Sequence, residues 1–226
     1  MKLWISFKKW LELISGTIRS LFGDPEAWES SIRQFEVQDK RQPPTPGSIL
    51  FVGSSTFTLW KTLEKDMSPL KIINRGFGGS KITDIVRYSD RIVIPYNPKA
   101  IVLFAGTNDI AWPKPATAQE VYQAYLTFTR QISDLLPATP IYYVAITPTP
   151  ARWKYWEIAN ETNRLIQQHS RTDDRLHFID LTARFIGPDG KPDRKLYRMD
   201  GLHPNQRGYA VWTETIKPIL EVDLGS

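Results

Sequence analysis

Asp200 and His203 stand three residues apart in Asp200-Gly201-Leu202-His203-Pro204-Asn205, just ahead of the last helical stretch. A carboxylate at that separation can hold imidazole Nδ1 and leave Nε2 free to take a proton from a hydroxyl. An Asp-Gly turn leading to proline at a helix start explains the same residues without chemistry. Hydroxyls stand far upstream, in Gly53-Ser54-Ser55-Thr56, where an apolar run ends. Ser and Thr there read equally as helix caps, whose oxygens accept orphan backbone N–H groups. Phe57, Thr58 and Leu59 supply no Glu or Gln to complete a capping box. Two more segments carry donors. Asn74-Arg75-Gly76-Phe77-Gly78-Gly79-Ser80 has three glycines, which permit positive φ and close backbone approach to a ligand, or merely turn the chain. It does not match the dinucleotide pattern GxGxxG. Gly106-Thr107-Asn108-Asp109 can form an Asx turn or present the Asn108 amide to a crevice.

Composition narrows the chemistry. The 226 residues, 41% of them hydrophobic, can bury one sizeable core. Cysteine is absent, which excludes disulfides, thiolate catalysis and Cys-ligated zinc. The three histidines show neither HxH nor HExxH spacing, so no metal or other cofactor is expected. The net charge of +5 is mostly well mixed, and only Arg184 to Arg198 is biased, as a solvated basic loop. No nucleic-acid motif accompanies it, and nucleic acid is not an expected partner. Lys and Arg interrupt every apolar run before it could cross a bilayer.

These residues need a frame. Ile49 to Val52, Lys71 to Asn74, Ala100 to Ala105, Ile141 to Ile146 and Leu176 to Asp180 are short apolar runs that read as strands. Helical periodicity fills the gaps, especially over Ala118 to Leu136, Trp156 to His169 and Gln206 to Leu220. Strands apolar throughout belong to a parallel sheet covered on both faces, so a doubly wound α/β domain is expected. Such folds bind ligands at the carboxyl ends of their strands, where Ser55, Gly79 and Asn108 all fall. His169 and His177 lie within a helix and a strand pattern and read as structural. Ahead of the core, Pro25 to Lys40 reads as helix, followed by a proline-rich linker from Gln42 to Gly47. Met1 to Phe22 forms an amphipathic helix pattern with Leu3, Trp4, Phe7, Trp10, Leu11 and Ile14 on one face. It lacks the features of a cleaved secretory signal. It fits either a membrane interface or packing on the domain or a second subunit, and the expected location is cytoplasmic or peripheral to a membrane.

Taken in order, the four chemistry-bearing segments resemble blocks I, II, III and V of the SGNH, or GDSL-type, hydrolases. Trp28 to Asp39 together with Asn74 to Asp84 is similar to a subset of small bacterial GDSL esterases. The resemblance covers residues 25–226 as one hydrolase domain and leaves residues 1–24 outside. It implies a flavodoxin-like three-layer α/β/α sandwich with a mainly parallel five-stranded sheet, and a serine esterase. Residue by residue it implies Ser55 as nucleophile, His203 as base and Asp200 as its carboxylate. The oxyanion hole would be the N–H groups of Ser55 and Gly79 with the Asn108 side chain. The usual Gly-Asp-Ser reads Gly53-Ser54-Ser55 here, so the choice of Ser55 rests on its spacing from Gly53. The lost acid is no triad member, and activity is expected to survive. The α/β-hydrolase pattern GxSxG finds no match.

The substrate implied is a small ester, with a lipid or an acetylated sugar as narrower options. A binding module that keeps the fold without the chemistry is the rival from another class. Trp112, Arg152 and Trp153 are expected to border the crevice, as aromatic faces and a cation for the substrate.

Overall fold

Ile49, Leu50, Phe51 and Val52 alternate in direction along an extended chain, yet all four are buried, which requires cover on both sides of the sheet they build. A computed structural model describes residues 24, 26–111 and 113–225. The amphipathic stretch expected over Met1 to Phe22, and Trp112, lie outside the described residues. The five apolar runs are five strands: β1 (Ile49–Gly53), β2 (Ile72–Gly76), β3 (Ala100–Phe104), β4 (Ile141–Val144) and β5 (Leu176–Ile179). They pair in parallel in the order β2-β1-β3-β4-β5. Gly53 sits level with Gly76 on one side and Phe104 on the other, so three neighbouring strands end along one edge.

Helices cover both faces. They are α1 (Glu29–Arg41), α2 (Ser55–Leu59), α3 (Leu63–Met67), α4 (Ile82–Ile92), α5 (Ala118–Leu135), α6 (Trp156–Ser170) and α7 (Gln206–Leu224). Leu50, Val52, Ile101 and Leu103 pack with Ile32 of α1, Ile85 of α4, Phe128 of α5 and Ile166 of α6. Their odd-numbered and even-numbered strand neighbours Phe51, Val102 and Phe104 face the other way, onto Phe57, Trp60, Trp212 and Ile216. Each such side chain contributes about 1.5–3 kcal/mol by leaving water, so the two-sided pattern itself drives the three-layer α/β/α arrangement.

Two local features bear on the site. Thr117 accepts from Glu120 N while the Glu120 carboxylate accepts from Thr117 N, a capping box that starts α5 where the periodicity begins. At the other end of the chain α7 docks through aromatic contacts: Tyr209 stacks on Trp60 at 4.9 Å, and Trp212 meets Phe104 edge to face at 4.7 Å. That docking places the residues ahead of α7 beside the end of β1.

Candidate active site

The site begins with a glycine. A Cβ on Gly53 would lie 2.2 Å from the carbonyl oxygen of Phe104, so only glycine lets β1 end against β3 and turn. Ser54 follows in extended conformation, its N–H donating to Phe104 O at 3.2 Å and its carbonyl accepting from Phe57 N and Thr58 N. Its hydroxyl is completely buried and meets no partner among the described residues. Neither serine makes the side-chain cap that their types allow. Ser55 opens α2 half-buried, with Oγ 2.8 Å from His203 Nε2. The adjacent hydroxyls are therefore sorted by environment: one is sealed in the core, the other faces a base.

The base hangs from a loop. His203 Nδ1 lies 2.7 Å from Asp200 Oδ2, while Asp200 Oδ1 accepts from Leu202 N at 2.8 Å and His203 N at 3.0 Å. Burial pushes the Asp200 carboxyl up, but the hydrogen bonds from the His203 ring and the two N–H groups outweigh it, leaving the group below its ordinary value. It is thus a carboxylate at neutral pH. The loop is pinned by Arg198, which donates from its N–H to His203 O at 2.8 Å. Asn205 pins it too, donating to Lys195 O and Tyr197 O while capping α7 through Arg207 N and Gly208 N. Tyr209 donates to Thr56 O at 2.8 Å, tying α7 directly to the helix that carries Ser55.

The loops after β2 and β3 are tied to the end of β1 and to each other. Gly79, at φ +82°, turns the loop between β2 and α4, a conformation that side chains other than glycine rarely adopt. Ser80 Oγ donates to Gly53 O at 3.2 Å and so fastens this loop to β1. Asn108 donates from Nδ2 to Ser80 O at 2.9 Å. Next to it Asp109 is buried, one oxygen accepting from Ile82 N at 3.2 Å and the other without a partner among the described residues. Burial pushes its carboxyl up to about 6.

Thr107, Thr149, Arg152 and Leu202 line a small pocket beside Ser55 and His203. The turn Pro150–Tyr155 thus reaches the crevice, as its place after β4 implied. Arg152 does not extend a free guanidinium there: Nη1 donates to Thr107 O at 2.6 Å and Thr107 Oγ1 at 2.9 Å, and Nη2 donates to Asn108 Oδ1 at 2.9 Å. Sequence reasoning placed Arg152 at the crevice but did not find this contact, because no local pattern links a residue after β4 to one after β3. Trp153 stacks on Trp156 at 5.8 Å rather than on a pocket residue. His169 packs against Tyr122 and Tyr125, and His177 stacks on Tyr142 at 4.3 Å. Among the described residues no group of three or more His, Asp or Glu is placed to hold a metal ion.

A hydroxyl, an imidazole and a carboxylate in a hydrogen-bonded row can transfer a proton away from the hydroxyl. Known proteins share this frame. Residues 52–211 match the GDSL-like lipase/acylhydrolase family, and the chain belongs to it. It is a carboxylic-ester hydrolase on the SGNH fold. The matched region includes Ser55, Gly79, Asn108, Asp200 and His203. A GDSL-like lipase from Bacteroides thetaiotaomicron VPI-5482 superposes with a TM-score of 0.72 at 17% identity, covering 85% of this chain and 98% of that one. A carbohydrate esterase family 3 protein from Talaromyces cellulolyticus gives 0.60 at 16% identity, covering 78% and 97%. An N-acylneuraminate cytidylyltransferase from Escherichia coli O18:K1:H7 (strain RS218 / NMEC) is 27% identical over 180 residues. That match takes in 76% of this chain and 40% of the relative, so the chain spans less than half of that protein's length.

Proposed function

We propose that Ser55 attacks short acyl esters, with His203 as general base and Asp200 orienting the ring. One observation carries the reading: His203 bridges Ser55 Oγ at 2.8 Å and Asp200 Oδ2 at 2.7 Å, while the neighbouring Ser54 hydroxyl is sealed away. In this reading the Ser55 proton passes to His203 Nε2 as Oγ bonds to the carbonyl carbon. The imidazolium then returns it to the leaving alcohol oxygen as the ester bond breaks. Water then bonds to the acyl carbon as His203 takes its proton, and the imidazolium returns that proton to Ser55 Oγ as the acyl bond breaks and the acid leaves. Negative charge on the former carbonyl oxygen is met by the N–H groups of Ser55 and Gly79 and by Asn108 Nδ2. The N–H of Ser55 is available because the first N–H groups of a helix lack partners within it.

The acyl group is short in this proposal because the pocket beside Ser55 is small and carries Thr107, Thr147 and Thr149 among its walls. A long alkyl chain buried there would desolvate hydroxyls for little return. An O-acetylated carbohydrate is the second reading. It is supported by the half-buried Trp153 and Trp156 pair on the segment that carries Arg152, an aromatic surface suited to a sugar face, and by the carbohydrate esterase description of the Talaromyces protein.

The test is hydrolysis of aryl esters from acetyl to dodecanoyl, with acetylated xylan and a lysophospholipid alongside, by wild type and Ser55→Ala. A fluorophosphonate probe is expected to label wild type at Ser55, and turnover is expected to fall as the acyl chain lengthens. Labelling that survives Ser55→Ala and disappears in Ser54→Ala reverses the assignment, and a preference for dodecanoyl esters defeats the short-acyl reading. Ahead of the hydrolase domain at 25–226, we propose residues 1–24 as a peripheral membrane or self-association segment. Liposome sedimentation and sizing of the full chain should then differ from those of a chain beginning at Asp24.

A further inference from the structure

An asparagine can stabilise an oxyanion only if its NH2 faces the developing charge, because the opposite orientation presents a carbonyl oxygen and repels it. The two orientations of the amide have nearly the same shape, so packing alone does not choose between them. In this chain two flanking groups choose. Ser80 O accepts from Asn108 Nδ2 at 2.9 Å, and Arg152 Nη2 donates to Asn108 Oδ1 at 2.9 Å. Turning the amide over would set oxygen against oxygen at Ser80 and NH2 against guanidinium at Arg152. The second Nδ2 hydrogen is thereby left for another acceptor.

Arg152 is built for this more than for an outside anion. Its other terminal nitrogen is held by Thr107 O and Thr107 Oγ1, the residue just before Asn108, so the fork grips two adjacent residues of the segment after β3. No carboxylate forms a salt bridge with it among the described residues. Ala151 N donates to Gly201 O at 2.9 Å, so the turn carrying Arg152 is also fastened to the loop of Asp200 and His203. A charged donor on Oδ1 further polarises the amide and strengthens its remaining N–H as a donor.

We propose that Arg152 is a positioning residue of the oxyanion hole: its guanidinium locks the Asn108 amide with Nδ2 toward the oxygen that becomes charged. The inference rests on the reading of Asn108 as an oxyanion donor under the proposed function. It replaces the expectation that Arg152 meets an anionic part of the substrate.

The experiment is a double-mutant cycle on an aryl acetate, reading kcat and KM separately for wild type, Arg152→Met, Asn108→Ala and the double variant, with Ser55→Ala as the inactive reference. Arg152→Met is expected to lower kcat by about 10- to 100-fold with KM changed no more than about 2-fold, because the lost contact acts in the transition state. In the Asn108→Ala background the same change is expected to cost no more than about 2-fold. Arg152→Lys, which keeps the charge but not the fork, is expected to fall between. Thermal unfolding of each variant accompanies the kinetics, and if Arg152→Met fails to fold, the cycle is run with Arg152→Lys. Equal kcat losses in the two backgrounds overturn the inference, as does a loss confined to KM, which assigns Arg152 to substrate binding. Should Asn108→Ala retain full kcat while Ser55→Ala is inactive, the reading of Asn108 itself falls, a result distinct from either.

Discussion

Asn108 and His203, which the proposed reading sets on either side of Ser55, are held by unlike means. Asn108 lies four residues past the end of β3, between the buried residues Thr107 and Asp109, and both polar ends of its side chain are engaged, by Ser80 and Arg152. His203 hangs on a loop whose Asp200 side chain is 46% exposed, and it is anchored by backbone bonds, short-range turns and the N–H of Ala151 on Gly201 O, together with the cap of α7. The contrast follows the work each side does. Donors for a developing charge help most when nothing has to reorganise as the charge appears. A base that must accept a proton, return it and then take one from water gains from standing where water can reach.

If that contrast holds, removing the base should cost activity without costing the fold. His203→Ala is expected to lower kcat/KM by about 10⁴-fold or more, with a thermal midpoint within about 2 °C of wild type. A midpoint that collapses alongside activity would mean that the loop is part of the structural frame. Asn108→Ala is expected to do both at once. Turnover falls by about 10² to 10³-fold, and stability falls by about 1–2 kcal/mol in urea titrations because Ser80 O and Arg152 lose their partner. An unchanged midpoint there erases the distinction between the two sides.

A third prediction concerns the buried side through pH. Burial holds Asp109 near 6, against an ordinary 3.8, so the fold favours its protonated form. The sign follows: the contribution is fully present below about pH 4 and is lost as pH rises through about 6. In Asp109→Asn that decline, at most about 2–3 kcal/mol, should be missing when denaturant midpoints at pH 4 and pH 7 are compared. An identical slope in the variant and wild type removes Asp109 as its source. The smallest effect belongs to the exposed side. Asn205→Ala, which loses the cap of α7, should cost about 1 kcal/mol and slow turnover only a few-fold, by loosening the loop ahead of it. A loss of activity as large as that of Asn108→Ala would show the loop to be as finely tuned as the sheet edge.

How far these two sides were legible in the sequence differs in the same way. The strands could be read because Ile49 to Val52 or Ala100 to Phe104 are apolar on both faces, a property carried by each residue alone. α5 was legible over Ala118 to Leu136 through its periodicity, and it ends one residue earlier. The short α3 and the 3-10 turn Pro150–Tyr155 have no comparable periodicity, being too brief to show one. Ser55 was chosen over Ser54 by counting from Gly53, whereas the physical difference, one hydroxyl sealed and one beside an imidazole, exists only once α7 has docked. The grip of Arg152 on Asn108 was invisible for the same reason, since two residues 44 positions apart are joined by nothing local.

The partners Ser55 and His203 are 148 positions apart, and that distance sets a timetable. During synthesis the serine, the glycine loop and Asn108 leave the ribosome first. Asp200, His203 and the helix that seats them follow later. On the proposed reading, the incomplete chain carries a nucleophile with no base, and its hydroxyl stays inert toward the esters around it. Ester cleavage then begins only when α7 closes onto the finished sheet, so activity itself reports that the domain has been completed.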